Sequence, residues 1–173
     1  MTSPPPRTFT GELEVAVGDV TVRLVEVGPA HTAGDVLVEL PDRGTVFTGD
    51  ILFNGGTPVV WAGPFANWIG ACDRIISHGW DVIVPGHGPL ASAEDVHRLR
   101  RHLTWLVDEV TPRQAAGMSV DDTIADIDLG EWADLGECER LAVNVDTLYA
   151  ELDPAHQRAD ALTAFGRMAR LAR

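Results

Sequence analysis

The chain has 173 residues with 26 acidic and 13 basic side chains, a formal net charge of −13, and all of its basic residues are arginine. That balance argues against nucleic acid and anionic membrane as main partners and favours solubility. The length and the 45% hydrophobic content suit one compact domain with its own core.

Met1–Arg7 reads as a proline-stiffened tail. It has no charged region followed by an apolar run, so it is not read as a signal peptide, and no apolar run approaches the about 18 residues that a membrane span needs. Glu12–Val17 alternates, with Leu13, Val15 and Val17 on one face; Gly18-Asp19 turns the chain and Val20–Val27 runs back. A second hairpin pairs Val36–Leu40 with Thr45–Thr48 through Pro41-Asp42-Arg43-Gly44, which has the residues of a tight turn. The segment from Phe53 to Pro64 is a Gly- and Pro-rich loop. Its Phe53, Val59, Val60 and Trp61 either pack the loop down or line a pocket. Phe65–His78 has helical spacing, with Gly79 as its C-cap and His78 interacting with the helix dipole. Asp81–Val84 is a short fifth strand.

Ser92-x-x-Asp95 opens a further helix with a capping-box pair, and Pro112 is expected to stop it. His97 and His102 lie five apart, cannot chelate one ion as an i, i+4 pair, and read as solvated. Beyond Pro112 the chain is helical: a short helix capped by Ser119 and Asp122 and a stripe of Cys138, Leu141, Val145 and Leu148 come first. A last helix is expected to open at Asp153-Pro154 and to turn Leu162, Phe165, Met168 and Ala169 inward. Cys72 and Cys138, both on apolar helix faces, read as buried free thiols of a reducing cytoplasm.

Three residues stand apart. His31 precedes Val36–Leu40, Asp50 follows Thr45–Thr48, and His87 follows Asp81–Val84 on a Pro-Gly-His-Gly-Pro loop. An antiparallel hairpin brings His31 and Asp50 to one sheet edge, and two imidazoles with a carboxylate are ligand types of zinc and of non-haem iron.

H-T-A-G-D at 31–35, F-T-G-D at 47–50 and P-G-H-G at 85–88 resemble, in order and spacing, the later metal-binding motifs of the metallo-β-lactamase fold hydrolases. The resemblance runs from about Phe9 to Leu106. It implies an α/β (α+β layered) fold, half of an αβ/βα sandwich with a mostly antiparallel sheet covered by helices. It implies metal ligation by His31, Asp50 and His87, with Asp50 bridging two ions and acting as the catalytic residue. The family's H-x-H-x-D-H motif is absent, since no histidine precedes His31. On this reading residues 1–110 form the C-terminal half of such a domain, and 111–173 a helical extension packed on it.

Three functions follow from the resemblance. The first is a zinc-dependent hydrolase of an ester, thioester or lactone, with one or two zinc ions (or iron), a small-molecule substrate, and a homodimer or a complementary N-terminal half as partner. The second is a binding or structural half that does no chemistry until a partner completes the metal site. The third, ranked last, is a single-metal site of His31, His87 and Asp50 resembling the iron facial triad.

Overall fold

A computed structural model describes residues 8–172; the Met1–Arg7 tail reading lies outside the described residues. Five strands form one sheet in chain order: β1 Glu12–Val17, β2 Val20–Glu26, β3 Val36–Leu40, β4 Thr45–Phe53 and β5 Val82–His87. The first three pairings are antiparallel and the last is parallel. A parallel pairing needs a crossover, supplied here by α1 (Phe65–His78). The helices that follow are α2 (Ala93–Ala115), α3 (Val120–Asp126), α4 (Leu141–Leu152) and α5 (Ala161–Leu171). The arrangement is a layered α/β fold, as expected.

Strand alternation divides the sheet into two faces. Val25, Leu37, Val46 and Ile83 are buried in a core shared with Trp68, Cys72 and Ile75 of α1 and Leu99, Leu103 and Leu106 of α2. Glu39 lies on the same face, fully buried, with Arg74 of α1 donating to both of its carboxylate oxygens at 2.9 and 3.3 Å. On the other face Leu13, Leu24, Val38, Phe47 and Val84 align in register across all five strands. Val15, Val17, Phe47 and Val82 of this second face are exposed, Val17 at 61%.

The expected caps form. Ser92 Oγ accepts from Asp95 N–H at 3.3 Å while the Asp95 carboxylate accepts from Ser92 N–H at 2.7 Å. Gly79 takes the left-handed conformation at φ 64° that ends α1, and Ser119 caps α3. His78 Nδ1 pairs with Arg74 carbonyl at 2.9 Å, in keeping with a capping role.

Several expectations are corrected. Pro112 does not stop α2, which continues to Ala115. Proline there frees one carbonyl, that of Asp108, which is exposed, and Arg113 holds the final turn by donating to Glu109 carbonyl at 2.7 Å. His102 is not solvated. It is 3% exposed, packed between Trp105 and Trp132 with centroid separations of 5.4 and 5.0 Å. Cys138 lies in a short 3-10 turn before α4 and is only half-buried. The last helix starts at Ala161, capped by Asp160, and not at Asp153-Pro154. The intervening segment is held as a loop by Asp146, which takes His156 Nε2 at 3.1 Å and Ala159 N–H at 2.8 Å. Nor do Leu162 and Phe165 turn inward: they are 83% and 54% exposed, and only Ala164 of α5 is buried. Burial pushes the Cys72 thiol up to about 12, leaving it inert. Among the described residues no helix is long and apolar enough to cross a membrane.

Candidate metal centre

Strands β2, β4 and β5 run in the same direction, as their pairings require. His31 follows the C-terminal end of β2, Asp50 sits in the second half of β4, and His87 ends β5. The three residues therefore share one edge of the sheet. The strand carrying Asp50 is longer than its sequence pattern suggests. Gly49, at φ 52°, breaks the pleat and shifts the register, and pairing resumes through Phe53.

The loop bearing His31 is built around Asp35. The Asp35 carboxylate accepts Ala30 N–H at 3.1 Å, Thr32 N–H at 2.9 Å and Thr32 Oγ1 at 2.7 Å. Gly28 lets Asp35 approach, because a β-carbon there would meet the Asp35 backbone nitrogen at 2.6 Å. His31 is 8% exposed. Its Nδ1 lies 2.6 Å from Val59 carbonyl, so this nitrogen carries the proton and donates. Trp68 meets the His31 ring edge-on at 5.9 Å, and its own Nε1 donates to Ile51 carbonyl at 2.7 Å.

Asp50 stands between the two imidazoles. Its Oδ2 is 3.4 Å from His31 Nε2, and its Oδ1 is 3.3 Å from His87 Nε2. The Asp50 and His87 side chains keep 42% and 53% of their surface exposed. Gly86 is required by close packing: a β-carbon there would collide with Asp50 Oδ1 and lie 2.6 Å from the Gly49 carbonyl. Gly86→Ala should therefore push β5 off Asp50 and cost about 1–3 kcal/mol of stability, as overpacking does. Urea unfolding checks this; an unchanged midpoint would contradict it.

The donor chemistry fits metal ions. With Nδ1 engaged by the Val59 carbonyl, Nε2 is the His31 nitrogen that faces a carboxylate oxygen, and in a neutral ring it is the one that can bind a cation. Two acceptors 3.4 Å apart gain from a cation between them, and a ring N–H given to a backbone carbonyl is the usual support of a metal-ligating histidine. Among the described residues no three or more His, Cys, Asp or Glu side chains close on one point. The geometry is of two His–carboxylate pairs that share Asp50.

The remaining four histidines lie elsewhere: His78 stacks on Trp80 at 5.4 Å, His97 is exposed, His102 is in the core and His156 pairs with Asp146 at 3.1 Å. Sequence reasoning missed Asp35 and Val59 as supports of His31. The Asp35 signal was present in H-T-A-G-D, where a carboxylate four residues on can close an Asx-type loop; a backbone carbonyl at residue 59 leaves no such signal.

A profile of the metallo-beta-lactamase superfamily matches residues 1–87. The chain is 33% identical over 86 residues to the 2,4-dinitroanisole O-demethylase subunit alpha of Nocardioides sp. (strain JS1661), covering 49% of this chain and 26% of that protein. In structure it resembles the stereoselective inverting sec-alkylsulfatase Pisa1 of Pseudomonas sp., with a TM-score of 0.65 at 14% identity over 83% of this chain and 26% of the sulfatase. It also resembles a metallo-beta-lactamase family protein of Thermus thermophilus, with a TM-score of 0.63 at 17% identity over 86% of this chain and 48% of that one. The chain thus spans between 26% and 48% of these proteins.

Proposed function

The chain belongs to the metallo-beta-lactamase superfamily, and from that premise we propose that it supplies His31, Asp50 and His87 to the two-zinc centre of a hydrolase acting on an ester, thioester or lactone. One observation carries the reading: the Asp50 carboxylate offers one oxygen to each of two imidazoles, at 3.4 and 3.3 Å. Bound zinc would supply Lewis acidity and a water nucleophile near neutral pH; iron remains an alternative ion. His31, fixed by Val59 and Trp68, anchors one ion and His87 the other. Asp50 would be the ligand common to both ions and would accept a hydrogen bond from the attacking water. The open sides of Asp50 and His87 leave room for a substrate to approach.

Catalytic zinc usually has three protein ligands, and each ion has two here, so completion by a second segment is part of the proposal. The half-exposed apolar sheet face supports it, since stacked sheets bury such faces about 10 Å apart. We assign residues 1–110 to the half-domain that takes this partner and 111–173 to a helical extension. The partner is a complementary N-terminal half or a second copy. Phe47→Asp, which puts a charge at the most exposed side chain of the apolar row, should weaken association about tenfold or more while leaving the monomer folded. Light scattering with circular dichroism checks this, and unchanged association would contradict it. The two free cysteines suit a reducing compartment, and a cytoplasmic location is included in the reading.

The second reading, a structural half without chemistry, is favoured by the same ligand count. Zinc content and hydrolysis separate the two, measured for the chain alone and mixed with an N-terminal segment carrying H-x-H-x-D-H. The assay panel should include a lactone, a thioester, a carboxylic ester and, given the names of the relatives, a sulfate ester and an aryl ether. Turnover above that of free zinc in the mixture supports the hydrolase; tight zinc without turnover on any substrate supports the structural reading.

A further inference from the structure

Both imidazoles at the centre meet one aromatic ring. Phe53 ends β4 and is 5% exposed. Its ring stacks on His87 at 4.5 Å between centroids with 7° between planes, and meets His31 at 5.7 Å with a 54° tilt. The backbone repeats the link, because Phe53 pairs with His87 across the strands and Asn54 N–H donates to His87 carbonyl at 2.9 Å. Trp68 lies 6.4 Å from the same ring. The Arg140 guanidinium, 5.3 Å from the ring centroid, also donates to Thr57 carbonyl at 2.8 Å.

We propose that Phe53 is a positioning residue that orients the His87 ring, and through its second contact the His31 ring, toward the two oxygens of Asp50. His87 needs such a brace more than His31 does. His31 is buried and tied to Val59 carbonyl, whereas His87 keeps 53% of its side chain in solvent. A half-exposed imidazole rotates freely about its side-chain bonds unless a flat partner restrains it. An offset or parallel stack against a buried ring supplies that restraint with no hydrogen bond. Arg140 ties the brace to the short turn before α4, so the helical C-terminal part of the chain takes part in shaping the centre.

The proposal rests on the metal reading above, and its test separates the two. Phe53→Leu keeps the site apolar and buried but removes the flat partner. Phe53→Tyr restores it. Phe65→Leu, another buried aromatic, is the control for loss of packing. Histidine ring resonances and their contacts to residue 53 are recorded by NMR, and zinc is then titrated into each variant, and into Asp50→Ala, in the presence of the H-x-H-x-D-H segment. Phe53→Leu should free the His87 ring, with loss of its ring-current shift, and weaken zinc binding about 10–100-fold, the range for groups that orient ligands. Phe65→Leu should leave both within twofold of wild type, and Phe53→Tyr should recover both. An unchanged His87 ring in Phe53→Leu, or a zinc loss no larger than in Phe65→Leu, would overturn the positioning role. Wild-type zinc binding no tighter than that of Asp50→Ala would instead overturn the metal reading, and the ring resonances would still decide whether Phe53 braces His87.

Discussion

Asp50→Ala is expected to lower zinc affinity by more than about 100-fold and to remove turnover from the chain paired with its complementary segment. Losing a group that merely supports a ligand costs about 10–100-fold, and Asp50 is itself the group facing both imidazoles. Its removal leaves each ion with one histidine from this chain. His31→Ala and His87→Ala should each remove one ion and spare much of the affinity for the other. Zinc per chain after dialysis distinguishes these patterns. Asp50→Ala retaining zinc and rate at wild-type levels would remove the basis for a shared carboxylate. The fold should survive the change, since the Asp50 side chain is 42% exposed and surface substitutions usually shift stability by less than about 0.5 kcal/mol.

The second large effect is expected from His102. Burial lowers its pKa to about 4 from 6.5, helped by the nearby Arg98 guanidinium. The unfolded chain therefore binds the extra proton first, and stability falls as pH drops from about 6.5 to about 4. A shift of this size corresponds to about 3 kcal/mol at one proton. His102→Leu removes that contribution, so the unfolding free energies of wild type and variant from urea titrations should diverge by about this amount on acidification. At neutral pH the variant should be no less stable than wild type, because neither ring nitrogen of His102 has a hydrogen-bond partner among the described residues. Parallel pH profiles for the two proteins would contradict the assignment.

That His31 and Asp50 come together was legible because hairpin pairing is a local property, whereas His87 joins them through the parallel pairing of β4 with β5 across α1. Locality likewise made legible the capping box at Ser92 and the glycine cap at Gly79, which depend on residues a few positions apart. What escaped the sequence depends on distant partners. His102 looks solvated beside Arg100 and Arg101, and it is Trp132, thirty residues on, that closes over it together with the neighbouring Trp105. Phe53 looks like loop packing until β5 brings His87 against it. Alternation in β1 separates Leu13, Val15 and Val17 from Glu12 and Glu14, yet does not say which face the helices take. They lie on the side of the glutamates, and the apolar side is the one left open. In α5 the apolar stripe was placed on the wrong residues: Leu162, Phe165 and Ala169 are exposed, Met168 is half-buried and Ala164 is the buried one.

X-ray absorption at the zinc edge, on the chain loaded with zinc together with an H-x-H-x-D-H segment, tests the central claim most directly. Nitrogen and oxygen ligands at about 2.0–2.2 Å with imidazole scattering and a second zinc at about 3.5–4 Å are expected, with the zinc–zinc feature lost in Asp50→Ala. Sulfur scattering at about 2.3 Å, or a spectrum that Asp50→Ala leaves unchanged, would show that His31, Asp50 and His87 are not a shared metal centre.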